Sequence, residues 1–440
     1  MIKKLTRACV VMVQRYLPDP YLFAVILTFL VFIMGLVIAG KTPLQMVLHW
    51  GDGFWSLLAF SMQMALVLVT GHTLASSPPF KKLLSAIAGA MKNPGQAVMT
   101  TTLVALVAAW INWGFGLVIG ALLAKEMARK VKGIDYPMII ACGYIGFLIW
   151  HAGFSGSVPL TIATKGHFLE KTIGIIPTSE TIFAMFNVVP VIILLVTLPI
   201  LCKFMMPDED KIIAIDPALL AGVEPAAAVQ KAALTPADKI ENSAVISWLT
   251  GLMGLVYIAW YFATKGFSLN LDIVNFIFLF LAIIFHGTPR RFLNALAEAA
   301  KGTAGIILQF PFYAGIMGMM TKSGLAAIIS QWFVNISTPL TYPLFTFLSA
   351  GIVNLFVPSG GGQWAVQAPI MVPAGIDLGV STAKTAMAVA WGDAWTNMIQ
   401  PFWALPALGI AGLGARDIMG YCVVAMLFSG IIIGLCLMFL

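Results

Sequence analysis

Four polar clusters interrupt stretches that are otherwise apolar enough for a bilayer: NWGFG (112–116), GFSGS (153–157), VPSGGGQW (357–364) and WGDAWTNMIQPFW (391–403). In hydrocarbon a freed backbone N–H or C=O is costly, so such interruptions persist only where protein or a water-filled cavity supplies partners. A broken helix presents free N–H groups backed by the positive end of a helix dipole, and nearby hydroxyl or amide side chains add donors. That combination makes an anion hole without a fixed charge. Ser359, Gln363, Asn112 and Asn397 are the donors expected there, joined by Ser155 and Ser157. Gly114, Gly116, Asn354, Pro358, Gly360, Gly361 and Gly362 at the two breaks complete the expected substrate-binding set. Close helix packing is the competing explanation of the glycines, but three in a row beside Pro and Ser are hard to place in a packed helix.

Asp393 is the one carboxylate in the last three apolar segments before Arg416, apart from Asp377 in a loop. Holding it charged at bilayer depth costs about 2.5 to 3.5 kcal/mol, so it is expected to be protonated, paired with a cation or open to water. Asp393, with Asn112 and Asn354, is the expected ion-coupling set. The coupling ion is a proton or sodium, with no other metal and no cofactor. His151 stands 242 positions before Asp393; a satisfied buried histidine and a functional one both fit. Trp113, Phe115, Trp364 and Trp395 are read as an apolar wall for a short hydrocarbon tail, against the alternative of an interfacial aromatic belt. Anion hole and wall together describe a monocarboxylate site. His72, Gln63 and Gln309 lie in spans that can line its cavity or bond neighbouring helices.

The elements that must position these residues are membrane spans. Residues are 60% hydrophobic and 10% charged, mean hydropathy is +0.95, and apolar runs of about 20 residues, long enough to span, recur from residue 20 to 440. The net charge of +7 reads as a cytoplasmic-loop bias and not as a nucleic-acid surface, so the partners are lipid and small solutes. Five scattered cysteines read as small buried hydrophobes.

Loop charges give the topology. Lys3, Lys4, Arg7 and Arg15 place the N-terminus inside, and span 54–75 returns to Lys81, Lys82 and Lys92. Segment 97–124 then ends at Lys125, Arg129, Lys130 and Lys132 on the same side, which one crossing cannot do. It reads as a re-entrant hairpin broken at Asn112–Gly116. Segment 342–376 lies between sparsely charged loops and reads as a second hairpin of opposite orientation. Residues 1–202 form a first repeat, 203–243 a cytoplasmic linker, 244–262 an inverting span and 263–440 a second, inverted repeat. Asn112 and Asn354, and Pro159 and Pro401, share one 242-residue offset, and KKLLSAIAGAM and AAIISQWFVNI read alike as surface helices. The fold class is therefore an all-α polytopic membrane protein with two inverted repeats, about nine transmembrane spans and two re-entrant hairpins, the pattern of a secondary transporter.

With these residues in view, WGDGFWSLLAFSMQMAL, INWGFGL, GFSGS, QFPFYAGI, VPSGGGQW and QPFWALPALGIAGLG together resemble the bacterial short-chain fatty acid transporter family across essentially the whole chain. The resemblance implies uptake of acetoacetate, butyrate or similar acids at the bacterial inner membrane with elevator-like alternating access; cation symport is expected because no Lys or Arg in the hairpins or in 137–163 and 385–406 neutralises the acid. It also implies kinship with the ion transporter superfamily, leaves a homodimer open, and carries over residues 112–116, 357–364 and 393–400. Two rivals compete. A cation/proton antiporter would use Asp393 as carrier, and an intramembrane serine protease would use Ser155 of GFSG with His167 or His286 as base. His167 falls in an expected outer loop and His286 at an inner end, so neither should reach Ser155.

Overall fold

The computed structural model of the chain describes residues 2–167, 169–216, 235–266 and 271–440; the centre of the expected linker, 217–234, lies outside the described residues. Among the described residues every regular element is a helix. An amphipathic α1 (Ile2–Tyr16) leads to α2 (Pro20–Val37), α3 (Pro43–Gly53), α4 (Leu58–Ala75) and α5 (Pro78–Gly89). Next come α6 (Pro94–Ile111), α7 (Trp113–Lys130), α8 (Tyr136–Ile145), a 3-10 turn over Gly146–Ala152, α9 (Ser157–Ile162) and α10 (Met185–Met205). A further long helix, α11 (Ala244–Lys265), separates these from α12 (Leu271–His286), α13 (Pro289–Ala300), α14 (Ala304–Lys322) and α15 (Leu325–Asn335). The chain closes with α16 (Tyr342–Asn354), α17 (Gly360–Asp377), α18 (Thr382–Thr396), a 3-10 turn over Asn397–Ile399, α19 (Pro401–Ala411) and α20 (Ala415–Phe439). From α2 to α10 and from α12 to α20 the order is the same: each set contains two short helices around a long one, a broken pair, a helix ended by a 3-10 turn, and a final long helix.

Helix starts follow local chemistry. Thr42, Asn93 and Thr288 cap α3, α6 and α13 through their side-chain oxygens, each followed by a proline whose missing N–H costs nothing in a first turn. Both breaks are also capped. Asn112 leaves α6 in an extended conformation and its Oδ1 accepts from Phe115 N–H at 3.0 Å, so a single residue reverses the chain. The second break takes five residues, 355–359, because Pro358 disfavours helix before it. Ser359 then caps α17, its Oγ accepting from Gly362 N–H.

Each broken pair folds back on itself. A Cβ on Gly116 would lie 2.4 Å from Ala109 Cα, and one on Gly120 lies 3.2 Å from Ala105 Cβ, positions that step away from Asn112 in opposite directions. In the second pair Gln363 Nε2 donates to Ala350 O at 2.7 Å, and Tyr342 Oη to Met371 O, with the same antiparallel register. Gly116 therefore serves the close approach of α6 and α7. Gly120 does the same against α8, where an added Cβ would meet Gly143 O at 2.5 Å.

Among the described residues seven helical segments are long and apolar enough to cross a membrane, or eight with the bent α1–α2 pair, against the expected nine or so. One of these segments, Pro94–Ile111, is the first half of the expected hairpin 97–124, whereas the expected span 271–285 is α12, of 16 residues, and 385–406 is divided at Asn397–Gln400 into α18 and α19. The chain is an all-α, polytopic integral membrane protein. At its surface Lys3 pairs with Asp208 at 2.8 Å, and that ammonium holds the carboxyl below its ordinary range. The five cysteines are buried and unbridged.

Candidate functional site

The segment between α8 and α9 touches both breaks. On one side Phe154 N–H donates to Trp110 O at 2.9 Å and Trp113 N–H to Ser155 Oγ at 2.9 Å, so GFSGS clasps the first break. On the other side Gly360, the first residue of α17, lies on the His151 ring: a Cβ there would be 2.6 Å from Cε1 and 3.3 Å from Ser157 Cβ. Only glycine allows that approach.

The two residues 242 positions apart are in direct contact. His151 Nδ1 lies 2.9 Å from Asp393 Oδ2, with the side chains 0% and 1% exposed. Val158 N–H donates to His151 Nε2 at 3.1 Å. A nitrogen that accepts carries the lone pair, so the ring proton is on Nδ1 and donates to the carboxylate. Asp393 Oδ1 is buried with no hydrogen-bond partner among the described residues. Trp150 stacks on the imidazole at 4.1 Å.

The second break is tied to the turn that follows Asp393. Asn354 Nδ2 lies 2.8 Å from Asp393 O, 2.9 Å from Thr396 Oγ1 and 2.8 Å from Asn397 Oδ1, three acceptors for two hydrogens. Gln400 Nε2 donates to Asn354 O at 3.1 Å, and Tyr144 Oη to Asn397 O at 2.6 Å. Asn354 Oδ1, Asn397 Nδ2, Gln400 Oε1 and Asn112 Nδ2 have no partner among the described residues. These amide atoms are free to take a further hydrogen bond within the network.

The expected residues divide by location. Asn112, Trp113, Ser155, Ser157, Asn354, Gly360, Asp393 and Asn397 converge around this network. Ser359 caps α17 and keeps its hydroxyl hydrogen; Gly361 is exposed, and a Cβ there would meet nothing within 4 Å. Pro358 and Gly114 are buried at the breaks. Gln363 is no donor at the tip, because its amide is engaged by Ala350 O and Gln367 Oε1.

Of the aromatic wall, Trp113 alone stands at the site, packed against Phe60, Trp150 and Trp403. Phe115 packs on Phe278, Trp395 donates to Met426 O, and Trp364 sits in a separate apolar cluster. An open cavity of about 680 Å³ reaches Trp113, Ser155 and Ser157 and is also lined by Phe60, Gln63, Lys165 and Asp272. Gln63 is held there by Asp272 at 2.8 Å. Tyr144, Trp150, Thr396 and Phe60 were not singled out individually from sequence, and nothing in their spacing marks them.

The geometry gives no support to a serine nucleophile. Ser155 Oγ accepts from Trp113 N–H, His167 is engaged by Gly174 O and Leu169 N–H, and His286 by Thr73 O.

A family model described as short chain fatty acid transporter matches residues 1–440. A protein of Escherichia coli (strain K12), provisionally named a short-chain fatty acid transporter, is 48% identical over 432 residues, 98% of each chain. A Haemophilus influenzae protein with the same provisional name is 46% identical over 444 residues, 99% of each chain. Among solved structures, the Alcanivorax borkumensis YdaH transporter aligns over 95% of this chain and 98% of its own, with 14% identity and a TM-score of 0.41. The relatives that match across the whole length are transporters and not enzymes, and on that match the chain belongs to the short-chain fatty acid transporter family.

Proposed function

We propose that the chain takes up short-chain fatty acids such as acetoacetate and butyrate, as carboxylates, across a bacterial inner membrane together with a proton or a sodium ion. The observation that carries this reading is the buried His151–Asp393 contact between the two breaks. No Lys or Arg lies in 97–124, 137–163, 342–376 or 385–406; Lys165 lines the open cavity together with the acidic Asp272, and Asp393 adds a further negative charge. The neutralising charge has to arrive with the substrate. Ser359, Asn112 and the free N–H groups of the breaks supply donors for the anion, and Trp113 with its aromatic neighbours supplies the surface for the tail.

We read the two sets of helices as inverted repeats, with the broken pairs entering the membrane without crossing it. Their recurring order supports this. The breaks then meet near the midplane, and the loaded site moves as a unit between the two sides.

Cysteine labelling tests the topology. Lys92→Cys and Lys130→Cys, both exposed positions flanking the first broken pair, should be labelled from the cytoplasmic side in a background without the native cysteines. Labelling of the two from opposite sides means that the pair crosses.

The substrate reading is tested by counterflow. Liposomes holding the protein and unlabelled butyrate should concentrate labelled butyrate or acetoacetate transiently, and external short monocarboxylates should compete. Absence of counterflow with every short acid, from a folded protein, removes the reading.

A further inference from the structure

We infer that the coupling ion is a proton carried on Asp393 Oδ1, and that His151 is the positioning residue that holds the carboxyl to receive it; this rests on the symport reading above. Val158 N–H occupies His151 Nε2, which fixes the ring's single proton on Nδ1 and turns it onto Asp393 Oδ2. One carboxylate oxygen is thereby satisfied, and the other is left buried without a partner among the described residues. A hard metal cation gathers several oxygens; Asp393 offers one, with an N–H donor beside it, and the other unpartnered oxygens of the network, Asn354 Oδ1 and Gln400 Oε1, are uncharged amide oxygens. A proton needs only that one oxygen. Binding it at Oδ1 removes the uncompensated charge of the pair and leaves the imidazole bonds in place.

Among the described residues the other charged groups on the helices packed against the pair lie towards helix ends: Lys125 is turned to Ile410 O, Glu126 pairs with Arg129 near the end of α7 beside Lys130, and Lys203, Asp377, Lys384, Arg416 and Asp417 lie in end turns of α10, α17, α18 and α20. The Tyr144 hydroxyl is engaged by Asn397 O. The proton enters from the side to which the site is open, rides on Oδ1 with the carboxylate substrate bound nearby, and leaves on the other side. One proton per acid makes the cycle electroneutral.

The test uses the full-length protein in liposomes with labelled butyrate and a pH-sensitive dye. Expected are accumulation under an inward proton gradient without sodium, butyrate-dependent proton entry at one per acid, and no effect of clamping the membrane potential. His151→Asn, which keeps an N–H donor at the position of Nδ1, should hold proton-driven accumulation to within about threefold of the parent, whereas His151→Leu should lower it by about tenfold or more. Accumulation by a sodium gradient with the proton gradient inert overturns the inference and leaves symport standing. Counterflow without accumulation under either gradient takes down symport and this inference together. Equal proton-driven accumulation in His151→Leu and the parent overturns the role of His151. The parent's own ion dependence decides the identity of the ion even if the leucine variant does not fold.

Discussion

Gly361→Val should leave the protein folded and inserted and reduce carboxylate uptake by about tenfold or more. Gly361 is exposed in the first turn of α17 and a Cβ there meets nothing within 4 Å, so a side chain at this position has open space. That space is where a carboxylate would approach the free N–H groups, and a branched side chain keeps it away. The neighbouring glycine provides the contrast. Gly360→Ala drives a methyl to within 2.6 Å of the His151 ring and should displace the His151–Asp393 contact, lowering thermal stability as well as uptake. Uptake rates and melting temperatures of the two variants separate the roles. Parental uptake by a stable Gly361→Val would mean that the anion does not bind at this helix end.

The second large effect is expected at Asp393. Asp393→Asn keeps the size of the side chain and an acceptor for the His151 Nδ1 proton but removes the charge that a cation would neutralise. Gradient-driven accumulation should be lost, while exchange of labelled for unlabelled acid persists, because exchange needs only the loaded site to move. A stoichiometry above one cation per acid would add about 2.3 kcal/mol per net charge at 100 mV. Accumulation by the asparagine variant equal to that of the parent excludes Asp393 as the coupling residue.

The positions of these groups were legible from sequence to different depths. The breaks at Asn112 and at 355–359 were readable because Asn beside closely spaced glycines, and Pro followed by Ser and three glycines, combine several helix-ending signals, whereas single prolines such as Pro190 and Pro311 stay inside their helices. The partnership of His151 with Asp393 was present only as a numerical offset. Contact between two such residues depends on how two distant segments cross, which no local pattern encodes. The aromatic wall illustrates the opposite failure. Trp113 and Phe115 are adjacent in the sequence cluster but two positions apart on one helix, about 200° around its axis, so Trp113 meets Trp403 while Phe115 meets Phe278. Gln363 looked free at a hairpin tip, yet the antiparallel packing of α17 on α16 engages its amide with Ala350 O.

The most direct measurement is the steady-state ratio of labelled butyrate inside and outside liposomes that carry the protein and are given inward proton and sodium gradients together. Expected are a ratio well above one that falls to one when ionophores collapse both gradients, and cation entry that depends on the acid. A ratio of one under every gradient, or cation exchange that proceeds at full rate without any carboxylate, would contradict it.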